Sequence, residues 1–553
     1  MRACSLVLFA ARLGLGSKGQ RVLARDASIL DATFDVCVVG AGPAGIACGL
    51  ACVARGLRVL ILDAGGERPV PGRPDLLAAE FVEEGWHDPV DIVAASAIGG
   101  STHWWGGRSV PFDRADFAAW PISYDDMLPW YEKGAAFLGA RGVHASPAPG
   151  AFAQLASFDA TPDETLCPQP NMSRRWGAKL RAADGPAVSL RTRVSGLVIE
   201  NGRVEGVSVR HDDTEKTVRA RRVVLACGGL GSMKQLLLAQ RNHPYLFGGA
   251  GGPLGRAYMG HLNGSIADLE FANGADVNAF SARLLDDGVD ARRRILPTPQ
   301  TIAREGIANI AFWIENGSNA NPAHGSSVAS AKYVAARAAR ALSGRGREQS
   351  APLGPHLKNI ARAPFTAAAG LVSAGLWVAR NKLGGSRRRQ PLTKPTGERT
   401  WQMQYHAEQF PDDRNRVSLS DAQKDSIGAP ALKIDFRFTE RDFESVVRAH
   451  ELLDADLQAA GAGRLKMHYD REGSLAAVRK SALDGYHQLG GAMMSRDPRD
   501  GVVDVNCRTH GVDNLFVVSG AVFPSSSQAN PTLTIVSLAL RLAEFLSAGG
   551  IGL

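Results

Sequence analysis

The stretch FDVCVVGAGPAGIACGLACVARGLRVLILDAGG, Phe34 to Gly66, carries in order an apolar run, a glycine-rich turn, a helix-length segment, a second apolar run and an acid. Asp35 to Val39 is short and β-branched, as a buried strand requires. Gly40, Gly42 and Gly45 follow as G-x-G-x-x-G, opening a helix from Pro43 to Arg55 that Gly56 stops. Leu57 to Leu62 is the second strand, and Asp63 stands 18 residues past Gly45. Gly40 permits the tight turn, and Gly42 has no Cβ to hold off a pyrophosphate. Gly45 lets the helix lie close to the strand, and the helix N-terminus neutralises phosphate charge. Asp63 is placed to accept hydrogen bonds from ribose hydroxyls. In this strand–turn–helix–strand–acid context the motif predicts a bound dinucleotide, with Pro43, Ala44, Ala64 and Gly65 beside it; the glycines alone do not choose between FAD and NAD.

At 553 residues and 45% apolar content the chain exceeds one ordinary core, so two intertwined domains are expected. The seven cysteines, Cys4, Cys37, Cys48, Cys52, Cys167, Cys227 and Cys507, form no C-x-x-C pair, and their odd total argues against a disulfide framework. They predict no metal site and fit a reducing, cytoplasmic compartment. Residues 1–33 read as a disordered leader: the apolar patch from Ser5 to Ala11 is broken by Arg12, and no clean cleavage site follows.

Past the cradle, Glu67 to Val90 is polar and proline-bearing, an extended excursion. AIGGSTHWWGGRSVPF, Ala97 to Phe112, then sets Gly99, Gly100, Ser101 and Thr102 in a backbone-rich turn suited to a phosphate or ring system, followed by His103, Trp104 and Trp105. A packed loop with core tryptophans is the plainer reading of the same residues. Val194–Glu200, Arg203–Arg210 and Thr217–Ala226 read as a three-stranded meander turning at Asn201-Gly202 and Asp212-Asp213.

With these motifs in hand the chain resembles the glucose–methanol–choline (GMC) flavoprotein oxidoreductases. The resemblance rests on the cradle ending in LDAGG, on GGSTHWWGG with WPISYDDMLPWYEKG (Trp120 to Gly134), on RRVVLACGGLGS (Arg221 to Ser232) and on GRAYMGH (Gly255 to His261). HQLGGAMMSRDP (His487 to Pro498), GVVDVNCRTHGVDNLFVVSGAVFPS (Gly501 to Ser525) and NPTLTIVSLALRLAE (Asn530 to Glu544) look like the family's C-terminal signature. The bacterial pyranose-oxidase-like branch is the most similar. The implied fold is α/β: a Rossmann-type FAD-binding domain with a parallel sheet, helices and a β-meander, plus an α+β substrate-binding domain with an antiparallel sheet. The implied domains are 34–265 for the main FAD-binding part, 266–480 for the substrate domain, and 481–548 for a return to the FAD-binding domain. By the same resemblance Val194 touches the adenine through its backbone, and Gly228 lies near the ribose.

Flavin-dependent alcohol oxidation removes a hydroxyl proton and a carbinol hydride, so it needs a base beside the flavin. His487 in YHQLGG qualifies, and Asn530 lies 43 residues on, at the mouth of a helix opened by Pro531. The resemblance maps them onto the family's catalytic histidine and its Asn/His partner. Gly520 and Ala521 are placed at the pyrophosphate and flavin, and Pro531 and Thr532 at a helix N-terminus facing developing negative charge. Two departures stand out. Met493 and Met494 replace the usual Arg-Met pair, and His103, which resembles the histidine carrying covalent flavin in some members, falls one position early.

The implied activity is FAD-dependent oxidation of a CH–OH group of a sugar, glycoside or related alcohol, with oxygen, a quinone or a protein as electron acceptor. Alternatives are a dehydrogenase of a non-sugar alcohol such as a sterol or polyketide, or a flavin-binding protein without turnover. On the strand from Trp401, Gln402, Gln404 and His406 share one face that roofs the substrate pocket, with His406 read as a substrate contact or a solvent-facing group. Residues 331–394 hold 13 Lys/Arg against Glu348 alone, a net of +12 in a chain of +8. Within them Ala363–Ala379 is a weakly apolar run flanked by Lys358, Arg362, Arg380, Lys382 and Arg387–Arg389. A buried helix, an interfacial helix on an anionic membrane through 355–390 and a partner-docking arm all fit it. Nucleic-acid binding is not expected, since aromatics do not interleave the basic run.

Overall fold

A computed structural model describes residues 27–70, 77–212, 214–315, 327–342, 353–383 and 399–549. β1 (Thr33–Val39) is apolar and buried from Val36 to Val39, and α1 (Pro43–Val53) follows, with Pro43 in its first turn and Gly42 as N-cap. β2 (Val59–Leu62) pairs parallel to β1 through Val36↔Val59 to Val39↔Leu62. Gly40 holds φ +107°, a left-handed conformation that a side chain disfavours. A Cβ on Gly45 would lie 1.9 Å from the Gly40 carbonyl oxygen, so helix and strand are in backbone contact there. The Asp63 carboxylate accepts from the Ala41 and Gly65 N–H groups, each at 2.8 Å, and so ties the end of β2 back onto the turn. Cys48 and Cys52 are buried on α1 as free thiols.

α2 (Tyr124–Leu138) starts at a capping box, Ser123 and Asp126. β3 (Ala187–Ser189) adds parallel to β2. β4 (Thr192–Glu200), β5 (Arg203–His211) and β6 (Thr214–Leu225) then form the meander. Its first turn uses Asn201 and Gly202 at positive φ, and Asp212 also holds φ +49°. β6 belongs to two structures at once: its first residues pair antiparallel with β5, while Arg219–Leu225 run parallel to β1. α3 (Gly228–Asn242) leaves from the end of that strand.

The second domain is built on an antiparallel sheet. β7 (His261–Phe271), β8 (Ile310–Glu315), β9 (Thr400–Glu408) and β10 (Gly463–Met467) lie in the order β8-β9-β7-β10. The boundary expected at 265 therefore falls inside β7. Between β8 and β9 come α4 (Ser327–Leu342), α5 (Leu353–Arg362) and α6 (Pro364–Leu383). α4 packs against α5 and α6, and His356 and Asn359 on α5 bond Ser330 on α4.

The chain finally returns to the first sheet. β11 (Leu515–Val517) pairs parallel to the end of β6, and α7 (Thr532–Ser547) packs on α1 and α2. Both expected layers are present, a parallel sheet with helices and a meander, and an antiparallel sheet beside it.

Two expectations are corrected. Residues 27–33 are folded rather than part of a disordered leader: Ala27–Asp31 is a short 3-10 turn with Leu30 buried, and Lys216 holds both Ala27 O and the Asp31 carboxylate. The rest of the leader, 1–26, lies outside the described residues. The apolar run of α6 is not a buried helix. Phe365 is 90% exposed, with Val372 and Leu376 exposed as well, and the core-facing position is Ala367. Among the described residues no helix is long and apolar enough to cross a membrane.

The contact at Gly45 is testable without ligand. Gly45→Ala forces the first turn of α1 off β1 and is expected to lower stability by about 1–3 kcal/mol, the range for overpacking a tight interior. Denaturant titration of the flavin-free protein measures it, and an unchanged midpoint would contradict the packing described.

Candidate active site

The N-termini of α1, α3 and α7 open on one cavity of about 850 Å³, and in none of the three does the N-cap side chain take up the free N–H groups. Three positive helix ends facing one space suit an anionic ligand. The walls beside them are bare backbone. Gly40, Gly42, Gly100 and Gly228 line the cavity, and a Cβ on Gly100 would come within 3.0 Å of Gly42 Cα. Backbone from both ends of the chain thus fits a long ligand with a pyrophosphate at its middle, as FAD has. Asp63 at one end and His487 at the other line the same cavity.

Of the residues assigned to the site by sequence, the cavity is also lined by Pro43, Ala44, Ala64, Ser101, Thr102, Val194, Gly520, Asn530, Pro531 and Thr532. Gly45, Gly65, Gly99 and Ala521 stand behind the wall. Gly65 donates to Asp63, Gly99 donates to Ala41 O, and Ala521 O accepts from Ala492. His103 is turned away: its Nε2 meets Ile98 O at 2.9 Å and its Nδ1 meets Asn171 Nδ2 at 3.1 Å. With both nitrogens engaged outside the cavity, His103 does not line it as expected; its neighbours Trp104 and Trp105 do. Asp63 is buried, which raises its pKa, while the two backbone bonds pull the other way. Met493 and Met494 do not line the cavity; their segment is laced to Gly520–Val522 by the N–H groups of Gly490, Ala492 and Met494.

At the other end three imidazoles meet. His487 Nδ1 lies 2.9 Å from His261 Nδ1, and His487 Nε2 lies 3.4 Å from Asn530 Nδ2. His406 stacks on His261 with ring centroids 4.2 Å apart and donates from Nδ1 to Gln528 O at 2.8 Å. It is buried, so the solvent-facing reading is corrected: it lines the cavity with Gln404, while Gln402 on the same strand does not. Burial pushes the His487 pKa well below the usual histidine value, and the neighbouring His261 and Arg108 push the same way. His406 is depressed likewise, and His261 falls to about 4, burial leading in both. The nitrogens of the three rings lie within 4.8 Å, close enough for a metal ion, but 2.9 Å between two Nδ1 atoms is a hydrogen-bond distance.

The remaining wall was not legible in the sequence. Trp313 and Glu315 come from β8, Arg108 from a two-residue strand, Arg108–Ser109, that pairs with Thr165 and Leu166, and Asn263 from β7. Trp313 Nε1 donates to Glu315 Oε1 at 2.9 Å, Arg292 reaches the same oxygen at 2.8 Å, and Arg108 sits 5.3 Å from the indole centroid. An aromatic plane flanked by a guanidinium, a carboxylate and two amides can bind a molecule with several hydroxyl groups. Arg108 lay inside a quoted motif and Gln404 on a predicted face, but only the packing of two separate sheets brings them together.

Residues 411–539 match the GMC oxidoreductase family, and residues 92–263 match the FAD binding domain. The 2-methyl-1,2-propanediol dehydrogenase of Mycolicibacterium austroafricanum is 23% identical, over 93% of this chain and 95% of that protein. Paromamine 6'-oxidase of Streptomyces fradiae is 25% identical, over 93% of this chain and 91% of its own length. Pyridoxine 4-oxidase from Mesorbium loti shares the fold, with a TM-score of 0.52 and 17% identity over 92% of this chain and 98% of that one. The FAD-binding match, the fitted backbone cavity and the C-terminal match together identify an FAD-dependent oxidoreductase of alcohol groups with a GMC oxidoreductase domain at 411–539.

Proposed function

We propose that the enzyme oxidises a CH–OH group of a sugar, glycoside or related polyhydroxylated alcohol, with His487 as the base and Asn530 as the partner that holds the substrate oxygen. The observation that carries this reading is the His487 Nε2 and Asn530 Nδ2 pair, 3.4 Å apart at the wall of the cavity that Trp313, Arg108, Glu315 and Gln404 also line. Bound FAD supplies an acceptor for the hydride leaving the carbinol carbon. His487 takes the hydroxyl proton at Nε2, Asn530 orients the oxygen, and the N-terminus of α7 favours negative charge beside it. The name of paromamine 6'-oxidase supports a glycoside, that of the propanediol dehydrogenase a smaller alcohol. Oxygen, a quinone or a protein serves as electron acceptor.

Offered sugars, glycosides, small diols and sterols anaerobically, the yellow protein is expected to bleach with members of the first two groups; bleaching by sterols alone would replace this substrate class. His487→Ala is expected to keep FAD yet slow flavin reduction by about two to four powers of ten, the range for losing a general base. Because the base must be neutral and its pKa lies below 6.5, the wild-type reduction rate should be flat above that pH and fall only on its acid side. A fall centred above pH 7 would point to a different base. Asp63→Asn, which leaves one of the two clamping N–H groups facing an amide NH2, is expected to weaken FAD retention while the chain stays soluble; undiminished retention in dialysis would remove Asp63 from cofactor binding.

We also propose that α5 and α6 seat the enzyme on an anionic membrane surface. Phe365, Val372 and Leu376 are exposed at i, i+7 and i+11, which is one stripe of α6, and Lys358 and Arg362 precede it. The +12 of residues 331–394 complements anionic lipid at about 1 kcal/mol per engaged basic residue. Sedimentation with phosphatidylglycerol vesicles at low salt, release at high salt, and loss of both on changing the three stripe residues to serine are expected. Absence of sedimentation at any salt would end this reading.

A further inference from the structure

His261 stands at the first position of β7, fully buried, and its two nitrogens have unlike neighbours. Nε2 lies 3.0 Å from Ser526 O, and a carbonyl only accepts, so Nε2 carries the proton. Nδ1 of a neutral His261 is then a bare lone pair. It faces His487 Nδ1 at 2.9 Å, and one of these two atoms must donate. That donor is His487, whose other nitrogen, Nε2, is left without a proton at the place where it meets Asn530 Nδ2. We infer that His261 is a positioning residue: by passing the direction of the Ser526 carbonyl through its own ring, it fixes the tautomer of His487 that presents a bare Nε2 to the substrate hydroxyl. The inference rests on His487 acting as the base.

Without such a neighbour an imidazole places its proton on either nitrogen, and the wrong tautomer points an N–H at the hydroxyl it should deprotonate. The same bond has a second effect. Once His487 has taken the substrate proton, its Nδ1–H still faces a lone pair, so the cation formed in the reaction is held by a hydrogen bond to a neutral acceptor. The charged and titratable groups facing the pair are His406, stacked on His261, and the guanidiniums of Arg294 and Arg108, both of which oppose further positive charge there. Burial holds His261 neutral down to about pH 4, so its lone pair is present at every pH at which the enzyme would work.

The holoenzyme carries the test. In His261→Leu the acceptor is gone, and flavin reduction should slow by about 10² or more with FAD retained, the scale on which a misplaced catalytic proton acts. In His261→Asn an amide oxygen takes the place of Nδ1, and the rate should stay within about tenfold of wild type. A readout independent of turnover is the ring 15N spectrum of histidine-labelled protein, with His487 assigned by its absence in His487→Ala. Wild type should show His487 protonated at Nδ1 and bare at Nε2, and His261→Leu should lose that signature. If His261→Leu reduces flavin at the wild-type rate while His487→Ala is slow, the positioning role falls and the base stands. If His487→Ala is without effect, the base falls, and the spectrum alone judges His261. A wild-type spectrum with His487 protonated at Nε2, or one equivalent of bound zinc by elemental analysis, would overturn the inference even where the leucine variant fails to fold.

Discussion

The carbonyls of Ser526 and Gln528 sit in a fully buried turn, and buried carbonyls must find donors. An orphaned one would cost about 1–3 kcal/mol. No regular element runs through this turn to supply partners. They come instead from far along the chain: His261 for Ser526 O, and His406 with Arg294 for Gln528 O. The hydroxyls are used in the same way. Ser525 Oγ joins the Trp120 indole to Asp116 O, Ser526 Oγ exchanges bonds with the Gln409 backbone, and Ser527 Oγ donates to Asp116. Ser527 holds φ +63°, a conformation a serine keeps only when its surroundings dictate it. Asn530 follows at the mouth of α7, so its position is settled by these bonds before any substrate arrives.

Around that turn the charges are arranged so that the histidines stay neutral. Burial raises Glu408 to about 7 although it accepts from the backbone of Asn309 and Ser527, and Asp116 is likewise raised well above the usual carboxylate range, by burial first and then by Asp113 and Glu408. Glu164 goes the other way. Burial would raise it, but Arg292, Arg108 and Arg294 outweigh that and bring it to about 2. The guanidiniums near the imidazoles are thus balanced by a carboxylate that stays ionised, while the carboxyls beside the turn stay near neutral. The outcome is a set of rings able to receive a proton rather than one that already holds it.

The cradle was legible because its requirements are local. A positive φ at Gly40, contact at Gly45 and a strand ending in Asp63 each leave a mark within 30 residues. The meander and the return of the chain through Leu515 were legible for similar reasons, as strands of clear period with turn residues between them. His261 was not, although it ended a quoted motif, because its role depends on a carbonyl 265 residues later. The wall of Arg108, Asn263, Trp313 and Gln404 is assembled from four separate segments, three of them strands of one antiparallel sheet and the fourth, Arg108, from a strand of another, and no spacing in the sequence records that arrangement. His103 misled because its type and place suited a cofactor contact, while Asn171 and Ile98 O claim both its nitrogens. The exposed stripe of α6 was hidden by composition, since an Ala- and Gly-rich apolar run reads alike whether it is covered or bare.

The two ends of the chain meet through β11 beside β6 and through α7 against α1. This contact does more than close the sheet. The helix that follows Asn530 is seated on the helix that opens the fingerprint turn, so an ångström gained or lost in one shifts the other, and the cradle and Asn530 keep a common frame. The wall of Trp313 and Gln404 is held differently. It hangs on the second sheet, which meets the frame at β7, where His261 bonds the Ser526 carbonyl, and at β9, where His406 and Glu408 bond the same turn. Trp313 and Gln404 can therefore change without removing a bond to that turn. A change at His261 removes one, because the wall and the turn are held by different hydrogen bonds of the same sheet.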